Sequence, residues 1–161
     1  MHPRARELID RFGLEPHPEG GLFARTFQST LSVQPADSRG PRLALTAIYY
    51  LLIDRGISRW HRVASDEAWH WYEGAPLDVF VAAPGGTEIA PRRLGPASDS
   101  ATPQLVVPAN CWQAARCTGG YTLVGCCVAP GFEFADFSLL ASLPESERPE
   151  LVPSSLLEEL L

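Results

Sequence analysis

The stretch that decides the fold is residues 56–74, GISRWHRVASDEAWHWYEG, which holds two of the chain's four histidines and three of its four tryptophans. Tryptophan and tyrosine at positions 69, 71 and 72 suit a pleated, half-buried surface, and Gly56 and Gly74 bound the run as turn residues do. The stretch therefore predicts two successive strands, 58–62 and 67–73, and not a helix. We expect any chemistry of the protein to be concentrated here.

The remaining sequence continues this pattern of short strands and turns. Further strands are predicted at 22–30, 43–53, 77–82, 88–94, 104–107, 111–116 and 121–128, with Gly or Pro at nearly every junction. Because no helical period separates these strands, they favour an antiparallel sandwich or barrel over alternating strands and helices. Residues 132–137 are predicted to form a last edge strand.

A short helix is predicted at each end of the chain. Residues 3–12 begin with a proline, carry an apolar stripe through Leu8 and Phe12, and stop at Gly13. The tail from 154 or 155 to 161 begins like a capped helix, because Glu158 follows Ser155 by three residues. With 161 residues, no repeat and no long linker, the sequence predicts one domain, 1–161.

Composition excludes several classes of function. The chain is 45% hydrophobic and 20% charged, which is ordinary for a soluble globular protein, and its net charge of −6 offers no basic face for a nucleic acid. No apolar run approaches the roughly 20 residues that cross a bilayer, and the N-terminus lacks the apolar stretch of a signal peptide. We therefore expect a cytoplasmic protein without nucleic-acid or membrane partners. Its four cysteines contain no Cys-x-x-Cys pair and are expected to be reduced.

Two short motifs resemble those of the cupin superfamily. His61, Glu67 and Gly74 fall at the intervals of the first cupin motif, with Val63 in place of its second histidine. PANCWQ at 108–113 is similar to the second motif, with Gln113 in place of its histidine. Further phrases resemble an uncharacterised single-domain cupin branch that is similar to the sugar-nucleotide epimerase cupins: PHPEGG at 16–21, TAIYYLL at 46–52, SDEAWH at 65–70 and VAPGFEF at 128–134. The resemblance implies an all-β fold, the cupin double-stranded β-helix or jelly-roll barrel, here with short N- and C-terminal helices.

The resemblance also implies metal-ligand positions, but only His61 and Glu67 keep their usual residues. Gln113 is the tentative third ligand, although its neutral amide oxygen is a poor donor for a transition metal. His70 is a secondary candidate, and strand alternation places it on the opposite face from Glu67, so a bulge would be needed to bring it in. The sequence therefore predicts no cofactor or a weakly bound divalent metal.

Acid–base chemistry needs fewer groups than a metal site. His61 titrates near neutrality, and together with Glu67 it is the minimum set for removing a proton beside a carbonyl. Around this pair the sequence offers a neutral hydrogen-bonding amide, a carboxylate in a glycine-rich loop, an arginine for a phosphate or carboxylate, and aromatic surfaces for stacking. These candidate ligand-binding residues are Gln113, Glu19, Arg25, Trp69, Trp71 and Tyr49. For His17 a structural role is favoured.

The leading hypothesis is a small-molecule-binding cupin that isomerises or epimerises a sugar, sugar nucleotide or similar polar metabolite. Two alternatives stay open: a metal-dependent cupin enzyme, such as an oxygenase or lyase, and a non-catalytic ligand-binding module. The strand at 22–30 would be an unprotected edge unless paired, and cupins commonly add such a strand to a neighbour's sheet, so a homodimer is expected.

Overall fold

Thirteen strands and two α-helices make up the protein, and the computed structural model describes all 161 residues. The helices are α1 (Pro3–Phe12) and α2 (Ser154–Glu159). The strands are β1 (Glu15–Pro16), β2 (Leu22–Gln28), β3 (Ser32–Val33), β4 (Arg42–Leu43), β5 (Thr46–Ile53), β6 (Ile57–Val63), β7 (Asp66–Gly74), β8 (Leu77–Ala82), β9 (Ala90–Leu94), β10 (Gln104–Val107), β11 (Trp112–Cys117), β12 (Tyr121–Ala129) and β13 (Phe137–Leu139).

Eleven of these strands form two sheets in which every paired strand is antiparallel. The first sheet has the order β1-β2-β5-β12-β7-β10, and the second sheet has the order β13-β6-β11-β8-β9. Strands β3 and β4 form a small separate hairpin. This arrangement confirms the predicted all-β jelly roll with a short helix near each end.

The main core lies between the inner faces of the two sheets, and each outer face has a cover of its own. Tyr50 of β5 and Val79 of β8 meet in the inner core, whereas Leu51, one residue on, points outward and packs against Leu8 of α1. The opposite cover, over the second sheet, is the C-terminal segment, where Leu160 packs near Trp60. Strand β5 is therefore buried on both faces, which explains its nearly unbroken apolar sequence.

Two local predictions about chain ends and edges are wrong. Residues 132–137 do not form one edge strand, since Phe134–Asp136 is a 3₁₀ turn and strand β13 begins only at Phe137. The turn is held by the buried Asp136 carboxylate, which accepts two hydrogen bonds from Arg42, at 2.7 and 2.8 Å. The capping pair predicted for α2 is absent, because Pro153 occupies the cap position and no side chain caps the helix.

Other features follow the sequence closely. Helix α1 ends as predicted at Gly13, whose φ of +60° is the left-handed conformation that suits glycine. All four cysteines are free thiols. Neither α-helix has the length and apolar character needed to cross a bilayer.

Candidate functional site

A cavity of about 80 Å³ lies between the first sheet and strand β6 of the second sheet. Phe134, 57% exposed, and the exposed Arg25 mark its mouth, whereas its floor is formed by buried polar groups. The lining residues are His17, Glu19, Phe23, Arg25, Thr46, Ile48, Tyr50, His61, Val63, Glu67, Cys126, Val128, Phe132 and Phe134.

Strand alternation determines which side chains reach the cavity. In β5 every second residue faces the cavity, namely Thr46, Ile48 and Tyr50. Most of the residues paired with them on the neighbouring strands β2 and β12 line the cavity as well. From the second sheet, His61 and Val63 of β6 complete the wall. The site is therefore a continuous inner surface assembled from five strands and not a pocket on one loop.

Glu19 reaches the cavity on the tight loop between β1 and β2. Gly20 adopts a φ of +110°, and a Cβ there would overlap the carbonyl oxygen of Ile57, so the loop can approach β6 this closely only with glycine. The loop is tied to β6 by Ser58, whose Oγ donates to Glu19 Oε1 at 2.9 Å. The backbone N–H of Arg59 donates to the Glu19 carbonyl at 2.7 Å. A carboxyl group is thus held, buried, beside His61.

The tautomer of His61 follows from its surroundings. Its Nδ1 lies 2.8 Å from the carbonyl oxygen of Arg59, which can only accept, so Nδ1 carries a proton and donates it. The other ring nitrogen, Nε2, lies 3.4 Å from Glu19 Oε2. In the neutral imidazole Nε2 is therefore the basic nitrogen, and it faces a carboxyl group with which it can share one proton.

A second imidazole contacts the same carboxyl oxygen. His17 Nδ1 lies 3.4 Å from Glu19 Oε2, and it accepts the backbone N–H of Glu19 at 3.3 Å. The His17 ring stacks on Phe134 at the mouth, with a centroid distance of 6.2 Å. Glu19 therefore bridges the buried His61 and a histidine nearer to the opening.

Glu67 is oriented by a chain of three buried side chains. The indole of Trp69 can only donate, so the hydrogen bond of 3.1 Å between its Nε1–H and Gln113 fixes the amide oxygen of Gln113 on the tryptophan side. The amide nitrogen of Gln113 then donates to Glu67 Oε2 at 2.7 Å. This chain holds the Glu67 carboxyl group in one orientation at the cavity wall.

Burial moves the proton affinities of these groups toward one another. Desolvation lowers the pKa of His61 and of His17 below the ordinary histidine value. Desolvation also raises the pKa of Glu67, although the nearby His61 and the Gln113 hydrogen bond partly oppose that rise. The pKa of Glu19 is raised by burial as well. Burial thus lowers the pKa of the two histidines and raises the pKa of the two glutamates, and a smaller difference in pKa between acid and base favours proton transfer between them.

The structure brings together several of the residues named from the sequence. His61, Glu67, Glu19 and Arg25 all line the cavity. Gln113 does not, because it lies behind Glu67 and acts through it. His70 also lies outside, on the opposite face of β7 from Glu67, as strand alternation predicted.

Three further residues that were predicted to bind the ligand do not line the cavity. Trp69 belongs to the inner core and bonds Gln113. Trp71 packs against the same core and donates to the Ala75 carbonyl at 3.4 Å. Tyr49 faces outward and packs on Phe12 of α1, with ring centroids 4.5 Å apart. Alternation along β5 places its neighbour Tyr50, and not Tyr49, at the cavity.

Only four of the 14 lining residues were named as site residues from the sequence, and the missed ones include Tyr50, Cys126, His17 and Phe134. Tyr50 and Cys126 come from strands whose two faces are both apolar, so the sequence pattern does not show which side is inward. His17 and Phe134 lie in PHPEGG and VAPGFEF, two of the phrases that resemble the cupin branch. Their presence in such phrases was the available signal for His17 in particular, since it precedes Glu19 by two residues.

The metal-ligand set named from the sequence does not fit a metal ion in this arrangement. The only ligating atom of Gln113, its amide oxygen, accepts from Trp69, and the non-ligating nitrogen points to Glu67. Nδ1 of His61 donates to the Arg59 carbonyl, so only Nε2 of His61 could act as a ligand, and Nε2 faces Glu19 at 3.4 Å. No group of three or more His, Cys, Asp or Glu side chains in the chain is arranged to hold a metal ion.

Comparison with known proteins supports the fold and a family. The family model described as "Cupin superfamily (DUF985)" matches residues 6–140. A solved protein from Shewanella oneidensis is 30% identical, covers 97% of this chain and 96% of its own, and superposes with a TM-score of 0.83. A hypothetical protein from Leishmania major is 29% identical, with coverage of 89% and 92% and a TM-score of 0.74.

More distant likenesses concern the fold alone. Oxalate decarboxylase from Bacillus subtilis is 12% identical with a TM-score of 0.54, and the match covers 81% of this chain and 36% of that chain. Comparison with curated protein sequences gives no match. The stacked antiparallel sheets, the two motifs and the match over most of the chain agree, and the protein therefore belongs to the DUF985 family of the cupin superfamily.

Proposed function

We propose that this cupin binds a small polar metabolite in the cavity between its sheets and isomerises or epimerises it by proton transfer. The observation that carries the proposal is the geometry of His61, whose basic Nε2 faces Glu19 at 3.4 Å in the same cavity as the oriented Glu67. Two proton-transferring groups thus approach one small space from different elements.

The chemistry would use these two groups in turn. The Glu67 carboxylate removes the proton from a carbon next to a carbonyl, and the His61–Glu19 pair donates its shared proton to the carbonyl oxygen, giving an enol. If the first carbon carries a hydroxyl, return of the proton from Glu67 to the neighbouring carbon, with the hydroxyl proton passing to the His61–Glu19 pair, gives the isomer and restores both groups. Epimerisation needs a proton from water on the opposite face of the same carbon; the enol proton then returns to the His61–Glu19 pair, and Glu67 releases its proton to water. In this step Glu67 acts from its carboxylate form: burial raises the pKa of Glu67, and the nearby His61 and the Gln113 donor oppose that rise.

The surroundings of the pair support this proposal. The cavity wall is apolar at Ile48, Val63 and Val128, so few water molecules compete for the proton-transferring groups. A small metabolite, or one end of a sugar, is the proposed occupant, because the cavity is far below the roughly 300–1,000 Å³ of sites for drug-sized molecules. For a sugar nucleotide, only the sugar end would enter.

The test is binding followed by solvent exchange. Small aldoses, ketoses and hydroxy acids are screened by thermal shift, and ligands that bind are incubated with the protein in D₂O and followed by NMR for loss of carbon-bound protons. We expect exchange in the wild-type protein, and its loss in His61→Gln and Glu67→Gln. His70→Gln, a histidine change outside the cavity, is the matched control and should retain exchange.

The outcomes separate the open alternatives. Absence of both binding and exchange across the screen would contradict the proposal. Binding without exchange in the wild-type protein would favour the non-catalytic ligand-binding module. No contact in the structure favours the metal-dependent alternative, because Gln113 is turned toward Trp69.

We also propose that the protein is a homodimer that pairs through β2. Strand β1 pairs only with Leu22 and Phe23, so the outer edge of β2 from residue 24 to 28 has no partner strand. Phe27 on this strand is 51% exposed, and Leu31, three residues beyond the end of β2, is 64% exposed. An unpaired edge carrying apolar side chains is the kind of surface that a second copy covers.

A further inference from the structure

Arg25 is the only arginine or lysine that lines the cavity. It shares a face of β2 with Phe23, since the two residues are two positions apart, and it lies at the exposed mouth. Its guanidinium makes one hydrogen bond in the structure, from Nη1 to Gln28 Oε1 at 3.1 Å. The Nε–Nη2 edge therefore has two parallel donors without protein partners, the arrangement that matches a carboxylate.

The cavity floor has the opposite electrostatic character. Glu19 and Glu67 are both buried there, and no arginine or lysine compensates them inside the cavity. An anionic group placed at the floor would face two carboxyl groups in a poorly solvated space, which is unfavourable. An anionic ligand can thus enter in one orientation only, with its charge at Arg25 and a neutral end at the floor.

The size of the cavity limits the length of this neutral end. A volume of about 80 Å³ accommodates only a few non-hydrogen atoms, and the phenylalanines at 23, 132 and 134 narrow the path to the mouth. Neutral groups that hydrogen-bond with both donors and acceptors, such as a hydroxyl or a carbonyl, fit a floor made of imidazole and carboxyl groups.

We propose that the ligand is a short-chain hydroxy or oxo acid, bound with its carboxylate on Arg25 and its hydroxyl or carbonyl end beside His61 and Glu67. This inference rests on the proposed function, because it assumes that the cavity is the binding site. It adds the charge of the ligand, its direction of entry and the residue that selects it.

Three probes that differ only at one end test the charge preference. Glycerate, glycerol and 3-amino-1,2-propanediol share a diol and carry an anionic, a neutral and a cationic group. Calorimetric titration at low salt should give about tenfold tighter binding of glycerate than of glycerol, as one charge-assisted contact at an exposed site implies. This preference should shrink in 0.5 M NaCl, because the contact is partly exposed to solvent.

Arg25→Gln should lower glycerate affinity about tenfold, to the level of glycerol, and leave glycerol binding unchanged. Arg6→Gln removes the same charge from an exposed position on α1 and is the matched control, in which glycerate binding is retained. Far-UV circular dichroism and thermal melting check that both variants are folded.

Each outcome bears on one claim. Equal affinity for glycerate and glycerol, or tighter binding of the amine, would overturn the proposed ligand class while leaving the cavity as a binding site. Unchanged glycerate binding in Arg25→Gln would overturn the role of Arg25. If none of the three probes bound, this inference would be overturned, whereas the proposed function would be contradicted only if the wider screen of sugars and hydroxy acids also gave no binding and no exchange.

Discussion

Replacing Gln113 by leucine tests the chain of side chains that orients Glu67. Gln113 is buried, accepts from Trp69 at 3.1 Å and donates to Glu67 at 2.7 Å. Leucine fills a similar volume but makes neither hydrogen bond. The indole N–H of Trp69 and one oxygen of Glu67 are then left without partners in the interior.

The expected cost follows from those two lost partners. Leaving a buried donor or acceptor unsatisfied costs about 1–3 kcal/mol, so with two such groups Gln113→Leu should lower the free energy of unfolding by roughly 2–6 kcal/mol. At about 2–4 °C per kcal/mol for a domain of this size, the melting temperature should fall by roughly 4–24 °C. Because the amide donor holds the pKa of Glu67 down, its loss raises that pKa further.

The pH dependence of this loss has a definite sign. A carboxyl group whose folded-state pKa lies above its unfolded value favours the protonated form in the folded protein. Its contribution to stability is present below the unfolded pKa and is lost as the pH rises through the folded pKa. Gln113→Leu should therefore be more damaging at pH 8 than at pH 4.5.

Urea unfolding at both pH values, followed by tryptophan fluorescence, measures the effect. Gln104→Leu is the control, because this glutamine is exposed on β10 and the same change there should stay within about 0.5 kcal/mol of the wild-type value. A Gln113→Leu protein as stable as the control, or one damaged equally at both pH values, would refute the proposed orientation of Glu67 by Gln113.

Three further changes test other parts of the structure. Burial raises the pKa of Glu67, so ionisation of Glu67 at high pH destabilises the wild-type protein, and Glu67→Gln removes that ionisation. The melting temperature of Glu67→Gln minus that of the wild type should therefore be larger at pH 8 than at pH 4.5. An equal difference at the two pH values would contradict this. Gly20→Ala should lower the free energy of unfolding, measured in urea, by about 1–3 kcal/mol more than Gly85→Ala does. Both glycines have a positive φ, but only Gly20 faces the Ile57 carbonyl. Equal losses in the two variants would contradict the close packing of the loop. Light scattering at micromolar concentration should show that the wild-type protein is a dimer and that Phe27→Asp is a monomer. Val106→Asp, at the opposite edge of the same sheet, is the control and should remain a dimer. A monomeric wild-type protein would contradict the proposed homodimer.

Local sequence patterns predicted most of the strands and part of the site. Alternation along β7 correctly separated Glu67 from His70, because the two faces of that strand have different surroundings. No such separation was available on β5, where Tyr49 was named as a candidate but Tyr50 lines the cavity. Helix α1 covers the outer face of β5, so both faces of this strand are apolar. The sequence of β5 therefore does not show which face points toward the cavity.

The sequence by itself determined the antiparallel strands, the glycine-rich loop and the candidacy of His61 and Glu67, because each depends on residues that are close along the chain. Only the tertiary structure decided that Glu19 lies against His61 from 42 positions away and that Gln113 serves Glu67 rather than the ligand. Those contacts arise when the two sheets stack and the loop docks on β6. Stacking of the sheets brings distant parts of the chain into contact through packing and hydrogen bonds, and a pattern of neighbouring residues in the sequence does not show such contacts.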